Sequence, residues 1–246
     1  NTDNMSIAGE TIDYGPCAFM DFYQAETVYS SIDHGGRYAY CNQPQIGHWN
    51  LSCLAQSLIP LLGDDEDAAI EAAKDALGLY PDLFDASYLA GLRSKLGLGG
   101  KRDGDLALGQ DLLRRMEENQ ADFTLTFRGL CSLSGASAEA DAPVRALFDN
   151  PSAFDEWAIQ WRRRLADQPS SDGERQAAMR AINPAVIPRN HLVEEAITTA
   201  EENGDYTVME DLVSVLSAPF EDQPKNSRYT LPPRNDQIVR ATFCGT

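Results

Sequence analysis

Apolar residues recur at intervals of three and four along most of the chain beyond His48. Leu51, Leu54, Leu58 and Leu61 share one helical face, as do Phe154, Trp157, Trp161 and Leu165. Val193, Ala196, Ile197 and Ala200 repeat the pattern, followed by Val208, Leu212 and Val215. This period predicts amphipathic α-helices. Further helices are expected over 66–79, 84–96, 105–118 and 120–133, with loops at 97–104, 134–143 and 168–173. Thr207, followed three residues later by Glu210, predicts a capping box at the start of the last helix.

The two ends read differently. The first 45 or so residues are rich in Gly, Tyr, Asp and Ser, with short β-type pieces such as Thr11-Ile12-Asp13-Tyr14 before Gly15-Pro16. Segments of this kind carry chemistry on a rigid scaffold. From Pro219 to Thr246 periodicity fades and Pro224, Pro232 and Pro233 intervene, so an extended tail is expected, lying across the helices or mobile. The fold class is therefore mainly α with a small loop-and-strand edge. Its division is 1–45 for the loops, 46–218 for the helical body and 219–246 for the tail.

Composition narrows the partners. Of the 246 residues 43% are apolar, which suits a globular core, and the formal net charge is −18. Such an excess repels phosphate backbones and anionic lipid, so neither nucleic acid nor a membrane is expected as a partner. An anionic nucleotide would need metal ions or a local basic cluster. No apolar run approaches the roughly 20 residues of a membrane span. The chain opens on Asn1 rather than Met, which reads as a piece cut from something longer. Its five cysteines include no Cys-x-x-Cys pair, and with three histidines a structural zinc site is not expected. A reducing compartment is the better expectation.

The candidate chemistry sits at the start. Asp3 and Asn4, with Asp13 nine residues beyond Asn4, offer the hard oxygen donors that magnesium prefers. Read bare, such residues are ordinary turn and cap groups. The wider string adds to this. Asn1-Thr2-Asp3-Asn4-Met5-Ser6-Ile7, Thr11-Ile12-Asp13-Tyr14-Gly15-Pro16, Asp33-His34-Gly35-Gly36-Arg37-Tyr38 and Asn42-Gln43-Pro44 together resemble the selenoprotein O family. So do Trp49-Asn50-Leu51, Leu54-Ala55-Gln56, Asn183-Pro184, Arg189-Asn190, Pro232-Pro233 and the terminal Cys244-Gly245-Thr246.

The resemblance implies the C-terminal lobe of a protein-kinase-like fold that binds ATP in reverse and transfers AMP to protein hydroxyl groups. It implies Asn4 and Asp13 as ligands of Mg2+ (or Mn2+), both serving the bound nucleotide, and Asp3 as general base. It also implies that a glycine-rich cover and a Lys–Glu pair lie upstream, so the piece alone is expected to be inactive. Leu96 to Arg102 is glycine-rich but lacks Walker spacing and reads as a turn. The resemblance makes Cys244 a redox-sensitive tail residue. Tyr29 stands where the family has a loop cysteine, leaving Cys17 or Cys41 as partners, or a free thiol. A cytoplasmic location is implied for a bacterial source, a mitochondrial one for a eukaryote.

Other charged groups divide between roles. Arg162, Arg163 and Arg164 are expected on the solvated side of their helix. His34 is either a turn residue or a contact for substrate, while His48 and His191 read as capping or packing groups at helix starts. Arg37 could pair with Asp13, with phosphate or with a surface acid. A conventional kinase on the same scaffold remains an alternative, although Asp3 and Asn4 are adjacent where kinases separate the two. A non-catalytic helical interaction module with a vestigial nucleotide site is another. No nucleophile elbow and no His-Glu-x-x-His run supports a hydrolase.

Overall fold

The computed structural model describes residues 2–12, 14–15, 17–166 and 168–243. Ten α-helices occur among them: α1 (Gln43–Leu62), α2 (Glu66–Gly78), α3 (Tyr80–Lys95), α4 (Asp105–Glu118) and α5 (Phe123–Leu130), then α6 (Ala142–Arg145), α7 (Pro151–Leu165), α8 (Asp172–Arg180), α9 (Asn190–Asn203) and α10 (Thr207–Leu216). The mainly helical expectation holds. The β component among the described residues shrinks to one antiparallel bridge between Phe22 and Asp122, with no strand at Thr11 and Ile12. An isolated extended segment with no partner strand has nowhere to place its backbone hydrogen bonds except turns and water.

The main core forms where α4, α5 and α7 meet the end of α3. Trp157 and Trp161 lie one turn apart on α7, fully buried, with their rings stacked 5.8 Å apart. Each indole N–H finds a carbonyl, Trp157 donating to Leu108 and Trp161 to Leu96, both at 2.9 Å. The apolar indoles thus bury without stranding a donor. Gly109 lets α3 approach α4: a Cβ there would meet Leu92 Cδ2 at 2.2 Å. A second, smaller core joins Val186, Leu192, Leu212, Val215 and Tyr229, drawing α9, α10 and the tail together.

Several boundaries depart from the expected ones. The Thr207–Glu210 capping box does not form: Thr207 is the first helical residue, and its backbone N–H is taken by the Asp205 carboxylate at 3.0 Å. An upstream acid has captured the donor that the Glu210 side chain would have served in the box, and the Glu210 N–H donates to the Tyr206 carbonyl instead. The reciprocal box forms instead at Ser171 and Glu174, opening α8, a helix whose mean polarity hides it from periodicity. On α1 the leucine stripe is only partly covered: Leu51 and Leu54 are half-buried, whereas Leu58 and Leu61 are 38% and 79% exposed. The spacing identifies the helix but cannot say whether anything covers its face.

The triple arginine also corrects its expectation. Only Arg163 is exposed. Arg162 binds Asp141 and the Ser134 carbonyl, tying down the 134–141 loop. Arg164 forks onto the buried Asp105 and reaches the carbonyls of Gly99 and Gly100, closing the α3–α4 turn. Arg–carboxylate forks of this kind give geometric specificity. His48 packs as expected, stacked on Tyr80 at 5.0 Å.

Candidate functional site

Thr2–Asn4 form a single 3-10 turn on which Asp3 and Asn4 are both exposed. Adjacent side chains on such a turn diverge, so Asp3 and Asn4 offer oxygen donors to two directions of one surface. Asp13 and Cys244, the other residues singled out from the sequence, lie outside the described residues. Among the described residues no group of three His, Cys, Asp or Glu side chains gathers as a metal site. The donor types nonetheless fit magnesium, a hard cation that takes one or two carboxylates and keeps water or phosphate oxygens for the rest.

The chain beyond this turn is better fixed. The Tyr14 carbonyl accepts from the Cys17 N–H at 3.1 Å, and Gly15 and Cys17 both adopt positive φ, 57° and 49°. Gly15 takes that conformation at little cost, whereas Cys17 does not. The backbone then enters the body, with the Phe19 N–H donating to Asn190 Oδ1 at 2.8 Å. Tyr23 N–H donates to the Ala121 carbonyl and Phe123 N–H to the Asp21 carbonyl, flanking the bridge.

A buried ionic cluster locks this entry. Arg189, 1% exposed, donates to Asp21 and to both oxygens of Asp122, and its Nε reaches the Thr230 carbonyl at 3.1 Å. Asp122 meanwhile caps α5, accepting from Leu125 N–H at 2.7 Å. One guanidinium therefore joins the segment after the candidate site, the start of α5, the start of α9 and the tail. Burial pushes the Asp21 carboxyl above the usual carboxylate range against the pull of Arg189, and neighbouring Asp122 adds to the rise. In the sequence Arg189 stands out only as half of the Arg189-Asn190 dipeptide; Asp21, between Met20 and Phe22, is the signal of a charge driven indoors.

His191 adjoins the cluster. Its Nδ1 is buried without a hydrogen-bond partner among the described residues. Burial pushes the imidazole below its ordinary value, Arg189 and Arg228 adding to this while Asp21 and Glu195 oppose it. A histidine with a depressed folded pKa binds its proton more readily in the unfolded chain, so the stability it permits is full above about pH 6.5 and declines as pH falls through that value. Denaturant midpoints should therefore fall for the wild type between about pH 7.5 and 5.5, and fall less in His191→Gln. Equal declines in both would contradict this assignment.

The Asp33–Tyr38 loop is held from within, since the Asp33 carboxylate accepts from the N–H groups of Arg37 and Tyr38 at 2.9 and 2.8 Å. Arg37 lies 4.7 Å from the centroid of the Trp49 ring, so part of its role is packing on α1. His34 is exposed. The tail crosses the preceding residues: Ser31 N–H donates to the Thr242 carbonyl at 2.7 Å, Thr242 N–H to Ser31 Oγ at 3.0 Å, and Thr242 Oγ1 to the Tyr29 carbonyl at 2.7 Å. It is not uniformly extended, since 3-10 turns occupy Pro224–Thr230 and Asn235–Gln237. Cys17, Cys41, Cys53 and Cys131 are free thiols.

The described geometry is that of a helical body with loops at its N-terminal end, and comparison with known families gives its class. The family model described as "Protein adenylyltransferase SelO" matches residues 1–217. The chain belongs to that family. Proteins named "Protein nucleotidyltransferase YdiU" are similar over its whole length: 57% identical in Bradyrhizobium diazoefficiens, 55% in Rhodopseudomonas palustris (strain BisB18) and 52% in Rhizobium leguminosarum bv. trifolii. The chain spans about half the length of these relatives, 50%, 50% and 49% respectively. Among the described residues no helix is long and apolar enough to cross a membrane.

Proposed function

We propose that this chain forms the C-terminal lobe of a kinase-like protein adenylyltransferase, which moves AMP from ATP to serine, threonine or tyrosine hydroxyls of proteins. The observation that carries the reading is the exposed Asp3–Asn4 pair, presented on one turn in a chain of the SelO family. Residues 1–45 are read as the catalytic and metal-binding loops, 46–218 as the helical body beneath them, and 219–246 as the tail.

In this mechanism the Asp3 carboxylate accepts the proton of the acceptor hydroxyl as its oxygen attacks the α-phosphorus of ATP. The new O–P bond replaces the bond to the bridging oxygen, and pyrophosphate leaves with the electron pair. Asn4 and Asp13 would hold magnesium or manganese, and the bound ion would supply charge neutralisation at the phosphate oxygens. The Arg189 cluster keeps the segment after Asp13 at a fixed entry point on the body. Cys244, two residues beyond the Thr242 that bonds Ser31 and Tyr29, is read as a redox-sensitive residue on the strength of the family resemblance alone.

Ligand-linked stability tests the binding half of this reading. ATP with magnesium, at a hundredfold excess over Kd, should stabilise the intact protein by about 2.7 kcal/mol. Asn4→Ala and Asp13→Ala should each abolish most of the accompanying rise in Tm. An unchanged rise in both variants would remove these residues from the site.

A further inference from the structure

A cavity of about 430 Å³ opens behind the Tyr14–Phe19 turn, between the entering segment, α3 and α5. Its volume lies in the range of small-molecule pockets. Half of the lining residues are aromatic: Tyr14, Phe19, Tyr29, Tyr40, Phe123 and Phe127. Among the described residues no carboxylate lines it, and the one charged residue there is Lys95, at the last turn of α3.

The setting of Lys95 is unusual for a lysine. It forms none of the ion pairs found among the described residues, and Asn183 Oδ1, at 3.2 Å, is the one hydrogen-bond acceptor found there for its ammonium. The charge otherwise rests against ring faces, 5.8 Å from the centroid of Phe123 and 5.2 Å from that of Phe127. Asn183, itself fully buried, is fixed for this task because its amide donates to the Lys95 carbonyl at 2.9 Å. A three-donor cation with one neutral acceptor and two π faces is under-compensated. Burial accordingly pulls its pKa below the ordinary lysine value.

We infer that this cavity is a binding site for a small aromatic carboxylate, its ring among Phe19, Phe123 and Phe127 and its carboxylate on the Lys95 ammonium. The rings offer edges and faces at which an aromatic ligand packs well. One ammonium matches a monoanion, whereas a phosphate dianion would leave charge uncompensated in an apolar chamber. The surrounding charge of −18 further disfavours multiply charged ligands. Its wall includes Tyr14, next to the proposed metal ligand Asp13, but neither ATP nor metal enters the assignment.

Titration calorimetry of the intact protein with 1-naphthaleneacetate and with its neutral amide, 1-naphthaleneacetamide, tests the assignment. The acid should bind about ten- to a hundredfold more tightly than the amide, the worth of one charge-assisted hydrogen bond. Lys95→Met should erase the preference. A second measurement on the wild type covers a variant that does not fold: the acid, and not the amide, should protect Lys95 from amine acylation, read by peptide mass spectrometry. Equal affinities, no binding at millimolar concentration, a preference that survives in Lys95→Met, or unprotected Lys95 would each overturn the inference and leave Lys95 a structural core residue.

Discussion

Replacing Arg189 with alanine should destabilise the protein by about 3–5 kcal/mol, enough to unfold a domain of ordinary stability. The substitution leaves two carboxylates, the half-buried Asp21 and the buried Asp122, side by side with their shared cation gone. It also strands the Thr230 carbonyl and loosens the cap on α5, which Asp122 supplies. Arg189→Lys should recover part of the loss by restoring charge without the fork. Asp21→Asn combined with Arg189→Ala should cost less than the sum of the two single changes, because it removes the repulsion that the first change exposes. Denaturant titration measures all four proteins, and a loss below about 1 kcal/mol in Arg189→Ala would show that the cluster is not what fixes the entry of residues 18–23.

The second large effect is catalytic. Asp3→Asn keeps the size and polarity of the side chain but removes the proton acceptor, and should lower the rate of AMP transfer by roughly 10²- to 10⁴-fold. Because Asp3 acts on the acceptor hydroxyl rather than on the metal, magnesium-ATP should still raise Tm in this variant. Loss of rate with binding retained separates it from Asn4→Ala and Asp13→Ala, where both should fail together. A rate within a few-fold of wild type would take the role of base away from Asp3.

Much of the helical body is legible in the sequence because periodicity reports amphipathic packing directly. The Phe154, Trp157, Trp161, Leu165 stripe is the clearest case, and it forms the buried face of α7. The same rule is indifferent to whether a stripe is covered, which is why Leu58 and Leu61 of α1 share a face with the half-buried Leu51 and Leu54 and yet lie exposed. Helix α8 escapes periodicity for the opposite reason: its buried contacts come from Arg175 and Met179, and an arginine counts as polar even when its guanidinium is satisfied indoors by the Leu133 carbonyl and Asp172. Capping fails at Thr207 because nearby polar groups compete for the same N–H, and only three-dimensional placement decides that the Asp205 carboxylate wins.

The candidate site divides in the same way. Asp3 and Asn4 can be named because the signal is local, two oxygen-bearing residues in a specific string. Arg189, Asp21 and Asp122 cannot be joined from sequence, since Arg189 lies 168 and 67 positions from its two acids and no periodicity links them. Lys95 stays hidden for a similar reason. It ends a helix, where a lysine is expected to serve the dipole, and only the fold places it inside an aromatic wall. The Arg162–Arg164 run reads as solvated because the acids it serves, Asp141 and Asp105, lie 21 and 59 residues away.

The most direct measurement is label transfer by the intact protein with magnesium and ATP carrying its label at either the α or the γ phosphate, with Asp13→Ala alongside. Protein adenylylation predicts label on acceptor proteins from α-labelled ATP alone, lost in Asp13→Ala. Label from γ-labelled ATP alone would make the protein a phosphotransferase, and label from neither would leave a binding module; either result would contradict the account.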